Sequence, residues 1–166
     1  EMLVRVLAAL ERPAEALVHA RSLAADRTQT AALAALHGQL AEQAGEPAEA
    51  VAAYVRAVRQ APERTDLMVR IGELELAAGR SPRAEYAFRK ALHQDGRLLG
   101  ARLGLARAIW HQARAADADP ARLQQVLALL ADLERAGADT AALHSWRQAI
   151  DRQLARAGAG VVPPER

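Results

Sequence analysis

The chain has 166 residues, a length that suits one ordinary domain or a short array of stacked repeats. Its 22 basic and 20 acidic side chains leave a net charge of +2, which is too small for the electrostatic footprint of a nucleic-acid-binding protein. Alanine is the largest part of the 51% hydrophobic fraction, only 3% of residues are aromatic, and good helix formers dominate. Because there is no cysteine, disulfides and cysteine zinc sites are excluded. An all-α protein that does not bind nucleic acid is predicted.

The first predicted element is an amphipathic helix at the beginning of the chain. Leu3, Val4 and Leu7 form its apolar edge, and no capping residue precedes it. The last residues, 159–166, resemble a linker or tail. We therefore expect a segment of a longer parent chain, whose neighbouring repeats, or a second chain, would cover the apolar edge. No apolar run reaches the ~20 residues that cross a bilayer, and no secretory signal is present, so the compartment stays open between cytoplasm and periplasm.

A 34-residue period organises the chain from Pro13 onward. The tetrapeptide Pro-Ala-Glu-Ala at residues 13–16 recurs verbatim at residues 47–50. A period of 34 residues is that of helix-turn-helix repeats. Five further sets share the offset: Gly38 and Gly72; Gly45 and Gly79; Ala16, Ala50 and Ala84; Ala20, Tyr54 and Phe88; Leu23, Ala57 and Ala91.

These residues resemble the motif of the tetratricopeptide-repeat (TPR) family, most strongly over residues 13–98. The resemblance implies a right-handed α-solenoid of antiparallel helix hairpins, with about three and a half repeats and a terminal helix. The motif residues of the first full repeat, 31–64, are Gly38, Gly45, Ala50, Tyr54, Ala57 and Pro62. Those of the next repeat, 65–98, are Gly72, Gly79, Ala84, Phe88 and Ala91, with Gly96 in place of the closing proline.

The residue types at these places have physical reasons. Gly38 and Gly72 are expected where the two helices of a hairpin cross too closely for a side chain. Tyr54 and Phe88 are expected to fill the space towards the next repeat. Pro62 cannot continue a helix and restricts the residue before it, so the second helix should end there.

Beyond residue 98 the register loosens. The segment that begins at Pro120 resembles the one at Pro47 but is displaced by two periods plus five residues, which predicts an insertion over residues 115–119. Thr-Ala-Ala-Leu at 140–143 repeats the same letters at 30–33 and predicts a last helix to about residue 157, stopped by Gly158 and Gly160. The predicted organisation is one TPR-like superhelical domain over 1–158, with repeats at 1–30 (partial), 31–64, 65–98 and 99–137 (with the insertion) and a terminal helix at 138–158.

No motif predicts catalysis. The sequence lacks a glycine-rich phosphate loop, a nucleophile elbow and a His-Glu-x-x-His pattern. The five histidines are scattered, and none lies three or four residues from another, so a helical metal site is not expected. We predict a protein that is not an enzyme, with no catalytic residue, no cofactor and no metal.

The resemblance implies that the first helices of successive repeats line a groove where a partner polypeptide binds. The repeat register assigns twelve residues to this groove: Gln39, Glu42, Gln43, Asp66, Val69, Arg70, Glu73, Leu103, Arg107, Trp110, His111 and Arg114. The last four share one helix face, and Trp and Arg are enriched at binding hot spots. Two alternatives stay open. Asp66, Arg70 and Glu73 equally suit a solvated charged face, and Trp110 equally suits packing against the insertion or the following hairpin.

One ligand of this family can be argued against. TPR domains that hold the C-terminal carboxylate of heat-shock chaperones use Lys, Asn and Arg at set groove positions. The corresponding residues here are Ala35, Gln39, Asp66 and Arg70, of which only the arginine agrees. An acidic tail would meet Asp66 with like charge.

The leading functional hypothesis is a scaffold that binds a segment or domain of another protein. The alternative is a periplasmic TPR segment of a bacterial exopolysaccharide-export protein that recruits modifying enzymes or contacts the polymer. The Arg- and Ala-rich composition, which resembles that of high-GC bacteria, favours a bacterial parent. A regulatory array appended to an enzyme is a third hypothesis.

Overall fold

The structure, a computed structural model, describes residues 1–9, 12–24, 30–115, 119–138 and 140–159, and within these ranges all regular secondary structure is α-helical. No helix in these ranges combines the length and apolar composition that crossing a membrane requires. The helices are α1 (Met2–Ala9), α2 (Pro13–Ala24), α3 (Ala31–Gln43), α4 (Pro47–Gln60), α5 (Thr65–Ala77), α6 (Ser81–Gln94), α7 (Leu99–Ala115), α8 (Pro120–Arg135) and α9 (Thr140–Ala159).

The chain divides into two compact units, Glu1–Ala78 with α1 to α5 and Gly79–Arg166 with α6 to α9. In the first unit α3 packs against α4, and both lie within the predicted repeat 31–64. In the second unit α7 packs against α6 and α8, and α8 packs against α9. The predicted single domain over residues 1–158 stays a prediction.

Prolines mark where the second helices begin. Pro13, Pro47 and Pro120 are the first residues of α2, α4 and α8. Proline suits this position because its fixed φ matches the helix and its missing N–H would have had no helical acceptor. The hydroxyl of Thr30 caps α3 by accepting a hydrogen bond from the amide of Leu33 at 3.2 Å.

Glycines close three of the helices with left-handed backbone. Gly45, Gly79 and Gly137 have φ of 75°, 74° and 81° and follow α3, α5 and α8. The amide of Gly45 donates to the carbonyl of Glu42 at 2.9 Å, so the turn satisfies a carbonyl that the helix leaves free. Glycine adopts this conformation without the steric cost that a side chain would add.

Two aromatic rings lie directly on glycines. A Cβ added at Gly38 would be 2.4 Å from Cε1 of Tyr54, and one added at Gly104 would be 2.3 Å from Cζ of Phe88. Gly38 therefore has no room for a side chain, as predicted, because the ring of Tyr54 occupies that space. The ring of Tyr54 lies on Gly38 of its own hairpin, whereas the ring of Phe88 lies on the following helix at Gly104. For Phe88 this agrees with the expected place towards the next repeat, and for Tyr54 that expectation stays a prediction. The same repeat position thus uses two different glycines.

A buried histidine joins α3 to α4. His37 is 2% exposed, its Nε2 lies 2.7 Å from Oε1 of Glu49, and Nη2 of Arg56 lies 3.1 Å from its Nδ1. The carboxylate can only accept and the guanidinium can only donate, so the ring is the neutral tautomer that carries its proton on Nε2. His37 is therefore a satisfied core residue.

Glu49 carries the charge of this cluster. Arg21 of α2 donates to it at 2.7 Å. Hydrogen bonds from Arg21, opposed by burial and joined by the bond from His37, lower the pKa of Glu49 from 4.5 to about 2. The carboxylate consequently ties three helices of the first unit together at neutral pH.

The apolar edge of α1 differs from the prediction. Val4 and Leu7 are buried in α1, which packs against α2, so the exposed apolar edge consists of Met2, Leu3 and Val6. This differs from the predicted edge of Leu3, Val4 and Leu7, because the helix turns its i and i+3 positions towards its hairpin partner.

The last helix is longer than predicted. α9 continues through Gly158 to Ala159, so the prediction that Gly158 stops it is wrong. A single glycine costs a helix only about 1 kcal/mol relative to alanine, which the neighbouring helix formers overcome. Of the predicted insertion, Ala115 belongs to α7 and Asp119 caps α8, while residues 116–118 lie outside the described residues. The predicted stop at Gly160 and the rest of the tail also lie outside them.

Candidate partner-binding site

The first unit contains a cavity of about 570 Å³ lined by residues of α3, α4 and α5. We call it the first-unit cavity. Its lining residues are Gln39, Glu42, Gln43, Tyr54, Asp66, Leu67 and Arg70. Five of them belong to the predicted groove. Tyr54 and Leu67 do not, and Val69 and Glu73 of the predicted set do not line the cavity.

An ion pair between two first helices crosses this cavity. Nε of Arg70 on α5 donates to Oε2 of Glu42 on α3 at 2.7 Å, and its Nη2 also bonds this carboxylate. Nη1 of Arg70 donates to Glu73 at 2.7 Å. Burial raises the pKa of Glu42, but hydrogen bonds from Arg70 and Tyr54 outweigh it and the net shift is downward. Glu42 is therefore ionised and fully engaged near neutral pH.

The remaining groups of the first-unit cavity divide into engaged and available ones. Asp66 receives two hydrogen bonds from Arg64, at 2.8 and 2.7 Å, and these bonds lower its pKa against the effect of burial. The side-chain amides of Gln39 and Gln43 are exposed and have no hydrogen-bond partner among the described residues. They can donate to and accept from a bound polypeptide backbone.

The second unit contains a more apolar cavity of about 500 Å³, which we call the tryptophan cavity. Of the predicted groove residues, Leu103, Arg107, Trp110 and His111 line it, and Arg114 does not. Leu133 and Leu143 form its buried part, and Leu99 is 41% exposed at its mouth. Its lining residues are Leu99, Gly100, Leu103, Arg107, Trp110, His111, Leu133, Ala138, Leu143 and Trp146.

Two tryptophans form one wall of the tryptophan cavity. The ring centroids of Trp110 on α7 and Trp146 on α9 are 6.5 Å apart with an interplanar angle of 79°, an edge-to-face contact. The guanidinium of Arg114 lies over the Trp110 ring, 5.7 Å from its centroid. Both indoles are partly exposed. Trp110 therefore packs against the following hairpin, one of the two alternatives considered from the sequence, and still faces the cavity.

Helices α3 and α7, each the first helix of its repeat, line their cavities with residues at equivalent repeat positions. Two 34-residue periods separate Gln39 from Arg107, and the same offset relates two further pairs of lining residues. Those pairs are Glu42 with Trp110 and Gln43 with His111. The chemistry at the three positions changes from amide and carboxylate to guanidinium, indole and imidazole.

The opposite walls are equivalent too. Thr-Ala-Ala-Leu at 140–143 matches 30–33, and Leu33 lies one period before Leu67. In this alignment Leu143 and Trp146 hold the places of Leu67 and Arg70, and all four line a cavity. The Trp110–Trp146 contact thus stands where the first unit has the ion pair between Glu42 and Arg70.

A polar cluster fixes the helix that carries most of the tryptophan cavity. Nε2 of Gln112 on α7 donates to Glu85 of α6 at 2.7 Å, and Arg122 of α8 reaches the same carboxylate at 3.2 Å. Burial opposes ionisation of Glu85, but hydrogen bonds from Arg89, Gln112 and Arg122 produce a net lowering of its pKa. The cluster thus links α7 to α6 and α8 at the residue that follows His111.

The two arginines beside the tryptophan cavity, Arg107 and Arg114, have no acidic partner among the described residues. No acidic side chain lines the cavity, and in the described part of the chain neither Arg107 nor Arg114 forms an ion pair. His111 is exposed and has no partner in the same residues. Arg70, by contrast, binds two carboxylates. Among the described residues no group of three metal-ligating side chains is present in either unit.

Comparison with solved structures shows what the chain is similar to. Two crystal structures of MamA superpose with TM-scores of 0.61 and 0.58 at 16% sequence identity, covering 81% of this chain and 73% and 78% of theirs. A tetratricopeptide repeat protein from Parabacteroides merdae ATCC 43184 superposes with a TM-score of 0.65 at 20% identity, over 95% of this chain and 59% of that one. No family profile and no curated protein matches the sequence. The chain has an all-α, TPR-like solenoid fold.

Proposed function

We propose that this chain is a non-catalytic interaction scaffold that binds a segment of another protein through its two cavities. The observation that carries the proposal is that the same three first-helix positions line a cavity in each of the two units. Repeat proteins bind partners through surfaces that their repeated structural elements build. The TPR-like fold agrees with a protein-interaction role in general.

The cavities have the size and chemistry of binding sites. Their volumes of about 570 and 500 Å³ fall within the ~300–1,000 Å³ typical of ligand pockets. The first-unit cavity offers the free amides of Gln39 and Gln43, which suit a peptide backbone. The tryptophan cavity offers indole surface with two arginines that have no acidic partner among the described residues, and Trp and Arg are enriched at interface hot spots.

An exopolysaccharide-export role in the bacterial periplasm is a second candidate. The feature that favours it is the partly exposed pair Trp110 and Trp146, because aromatic faces also stack on sugar rings. Such a segment would contact the polymer directly or recruit the enzymes that modify it.

Selection from an unbiased random-peptide library tests the scaffold proposal. The whole chain is immobilised, and enriched peptides are measured again against two double variants, Gln39→Ala with Gln43→Ala and Arg107→Ala with Trp110→Ala. We expect enriched peptides that lose about tenfold or more of their affinity to one of these variants, because alanine removes the hydrogen-bonding or hot-spot groups.

The matched control is the double variant Tyr86→Ala with Arg97→Ala. It removes one exposed aromatic ring and one exposed arginine of the second unit that lie outside both cavities. It should bind the selected peptides like the parent chain. A selection that enriches nothing, or peptides that bind both cavity variants unchanged, would contradict the proposed function.

A further inference from the structure

We propose that the tryptophan cavity binds a peptide segment in which a large apolar side chain is flanked by carboxylates. The inference deepens the proposed function and rests on it, since it assigns a chemical class of partner to one of the two cavities. The first-unit cavity is assigned no part in this recognition.

Charge is the first argument. Arg107 lines the cavity, the guanidinium of Arg114 lies over the ring of Trp110, and neither arginine has an acidic partner among the described residues. The chain has almost as many acidic as basic side chains, and its other cavity pairs Arg70 with carboxylates on both sides. Unpaired guanidinium groups beside a pocket attract carboxylates and bind them through paired N–H donors.

The apolar surface is the second argument. Leu103, Leu143 and the two indoles face a space of about 500 Å³ that stays open to solvent at Leu99. At the equivalent place the first unit closes its cavity with an ion pair, which leaves no comparable apolar wall. A single large apolar side chain can enter between the indoles and the leucines, where its removal from water favours binding.

The positive charge and the apolar surface occur on adjacent turns of α7. Leu103, Arg107, Trp110 and Arg114 follow one another at spacings of four, three and four residues along α7. A ligand that places an apolar side chain against Trp110 therefore brings its neighbouring groups towards Arg107 on one side and Arg114 on the other. An extended peptide with acidic residues on both sides of one apolar residue satisfies this order.

Tryptophan fluorescence offers a direct test, because Trp110 and Trp146 are the two tryptophans of the chain and both line this cavity. The whole chain is titrated with short synthetic peptides without Trp or Tyr, each with a central Phe flanked by Glu on both sides. Matched peptides replace the Glu residues by Gln or by Lys, or the Phe by Ser. A polyuronic acid and dextran are titrated in parallel.

We expect a saturable change in emission with the Glu/Phe peptide. Binding should be about tenfold weaker for the Gln peptide, because charge-assisted hydrogen bonds are lost, and absent for the Lys and Ser peptides. Added salt should weaken binding of the Glu/Phe peptide more than binding of the Gln peptide.

Variants of the chain locate the site. Arg107→Gln and Arg114→Gln should each weaken the Glu/Phe peptide and leave the Gln peptide unchanged, and Trp110→Phe should report the same binding through Trp146. Arg97→Gln is the matched control, since Arg97 is exposed in the same unit but does not line the cavity. Far-UV circular dichroism of every variant verifies that it is folded.

Three results would overturn the inference: equal affinity for the Glu, Gln and Lys peptides, no effect of either arginine variant, or a saturable response to a polysaccharide alone. If library-selected peptides nevertheless bind through Gln39 and Gln43, the scaffold function stands and only this assignment fails. If the library yields no binding peptide at all, the proposed function fails with it.

Discussion

Trp110 and Trp146 meet edge to face with their ring centroids 6.5 Å apart, at the positions that Glu42 and Arg70 occupy in the first unit. One pair holds two first helices together through apolar contact and the other through charge. The same site on the repeat can therefore carry either kind of link. The choice between them decides the chemistry of the cavity beside it.

The aromatic link should be measurable as a coupling free energy. We expect Trp110→Ala and Trp146→Ala to be non-additive by about 0.5–1.5 kcal/mol in the free energy of unfolding, the range found for edge-to-face pairs. Urea unfolding followed by far-UV circular dichroism of both single variants and the double variant gives this number. Trp146→Ala combined with Tyr86→Ala, a ring exposed elsewhere on the unit, should be additive. Additivity in the tryptophan pair would contradict the contact.

The crossing at Gly104 predicts opposite effects for two substitutions in α7. Gly104→Ala should destabilise the chain by about 1–3 kcal/mol, because its Cβ would fall 2.3 Å from the Phe88 ring. Gly100→Ala is the matched control, because a Cβ added at Gly100 would meet no atom of another element within 4 Å. It should be neutral or stabilise the chain by up to about 1 kcal/mol. Thermal and urea unfolding compare the two.

Adding Phe88→Leu should recover part of the loss in Gly104→Ala, since the smaller side chain makes room for the methyl group. Equal stability of the Gly104→Ala and Gly100→Ala variants would show that the ring does not lie on the glycine.

The phenol of Tyr54 should resist ionisation in the folded chain. Burial, and then the hydrogen bond to Glu42, raise its pKa above the ordinary 10.0. Its contribution to stability is present below pH 10 and is lost as pH rises through the elevated pKa. In the variant Tyr86→Phe, where Tyr54 is the remaining tyrosine, tyrosinate absorbance should appear only well above pH 10 or together with unfolding.

Replacing the acceptor provides the control for this titration. Glu42→Gln removes the carboxylate charge and should move the onset of tyrosinate absorbance to lower pH, although burial keeps it above the ordinary value. Titration of Tyr54 at pH 10 in the folded Tyr86→Phe variant would refute the buried hydrogen bond.

Acid should weaken the first unit through Glu49. Its pKa is lowered from 4.5 to about 2, so its contribution to stability is present above pH 4.5 and is lost as pH falls towards 2. Glu49→Gln keeps an acceptor for His37 but not the charge that Arg21 binds. We expect it to cost about 1 kcal/mol at neutral pH and to flatten the fall in stability between pH 4.5 and 2.

Urea unfolding at several pH values measures both effects. Glu15→Gln is a suitable control, because this exposed carboxylate pairs locally with Arg12 on the surface. A parent and a Glu49→Gln variant with the same pH dependence would mean that Glu49 is not engaged in the folded chain.

Much of the fold could be predicted because the 34-residue period is marked by proline, glycine and alanine, whose structural effects are local. Proline at a helix start and glycine at a left-handed turn act within a few residues, so Pro47 and Gly45 mark their elements from sequence alone. The period also brought Gln39 and Glu42 into the set that lines one cavity, since equivalent residues of stacked first helices face the same way.

What could not be predicted depends on contacts across the irregular part of the chain. The partner of Trp110 is Trp146, on the other side of residues 115–119, where the register departs from the period. The spacing of Leu143, Trp146 and Ile150 does indicate an apolar face on α9. Which helix that face would meet depends on how the chain crosses the irregular segment, and that is not a property of any single helix.

Tyr54 serves the repeat and the binding surface at once, because its ring covers Gly38 while its hydroxyl bonds Glu42, the partner of Arg70. A substitution of Tyr54 or Glu42 would therefore disturb both the packing of the repeat and the surface of the cavity. Ligand preference cannot change at these two residues without a loss of stability. Gln39 and Gln43 line the cavity, but their side chains are exposed and form no hydrogen bond among the described residues. Within the first-unit cavity, divergence among homologous chains and efforts to engineer a new specificity should therefore concentrate at these two glutamines.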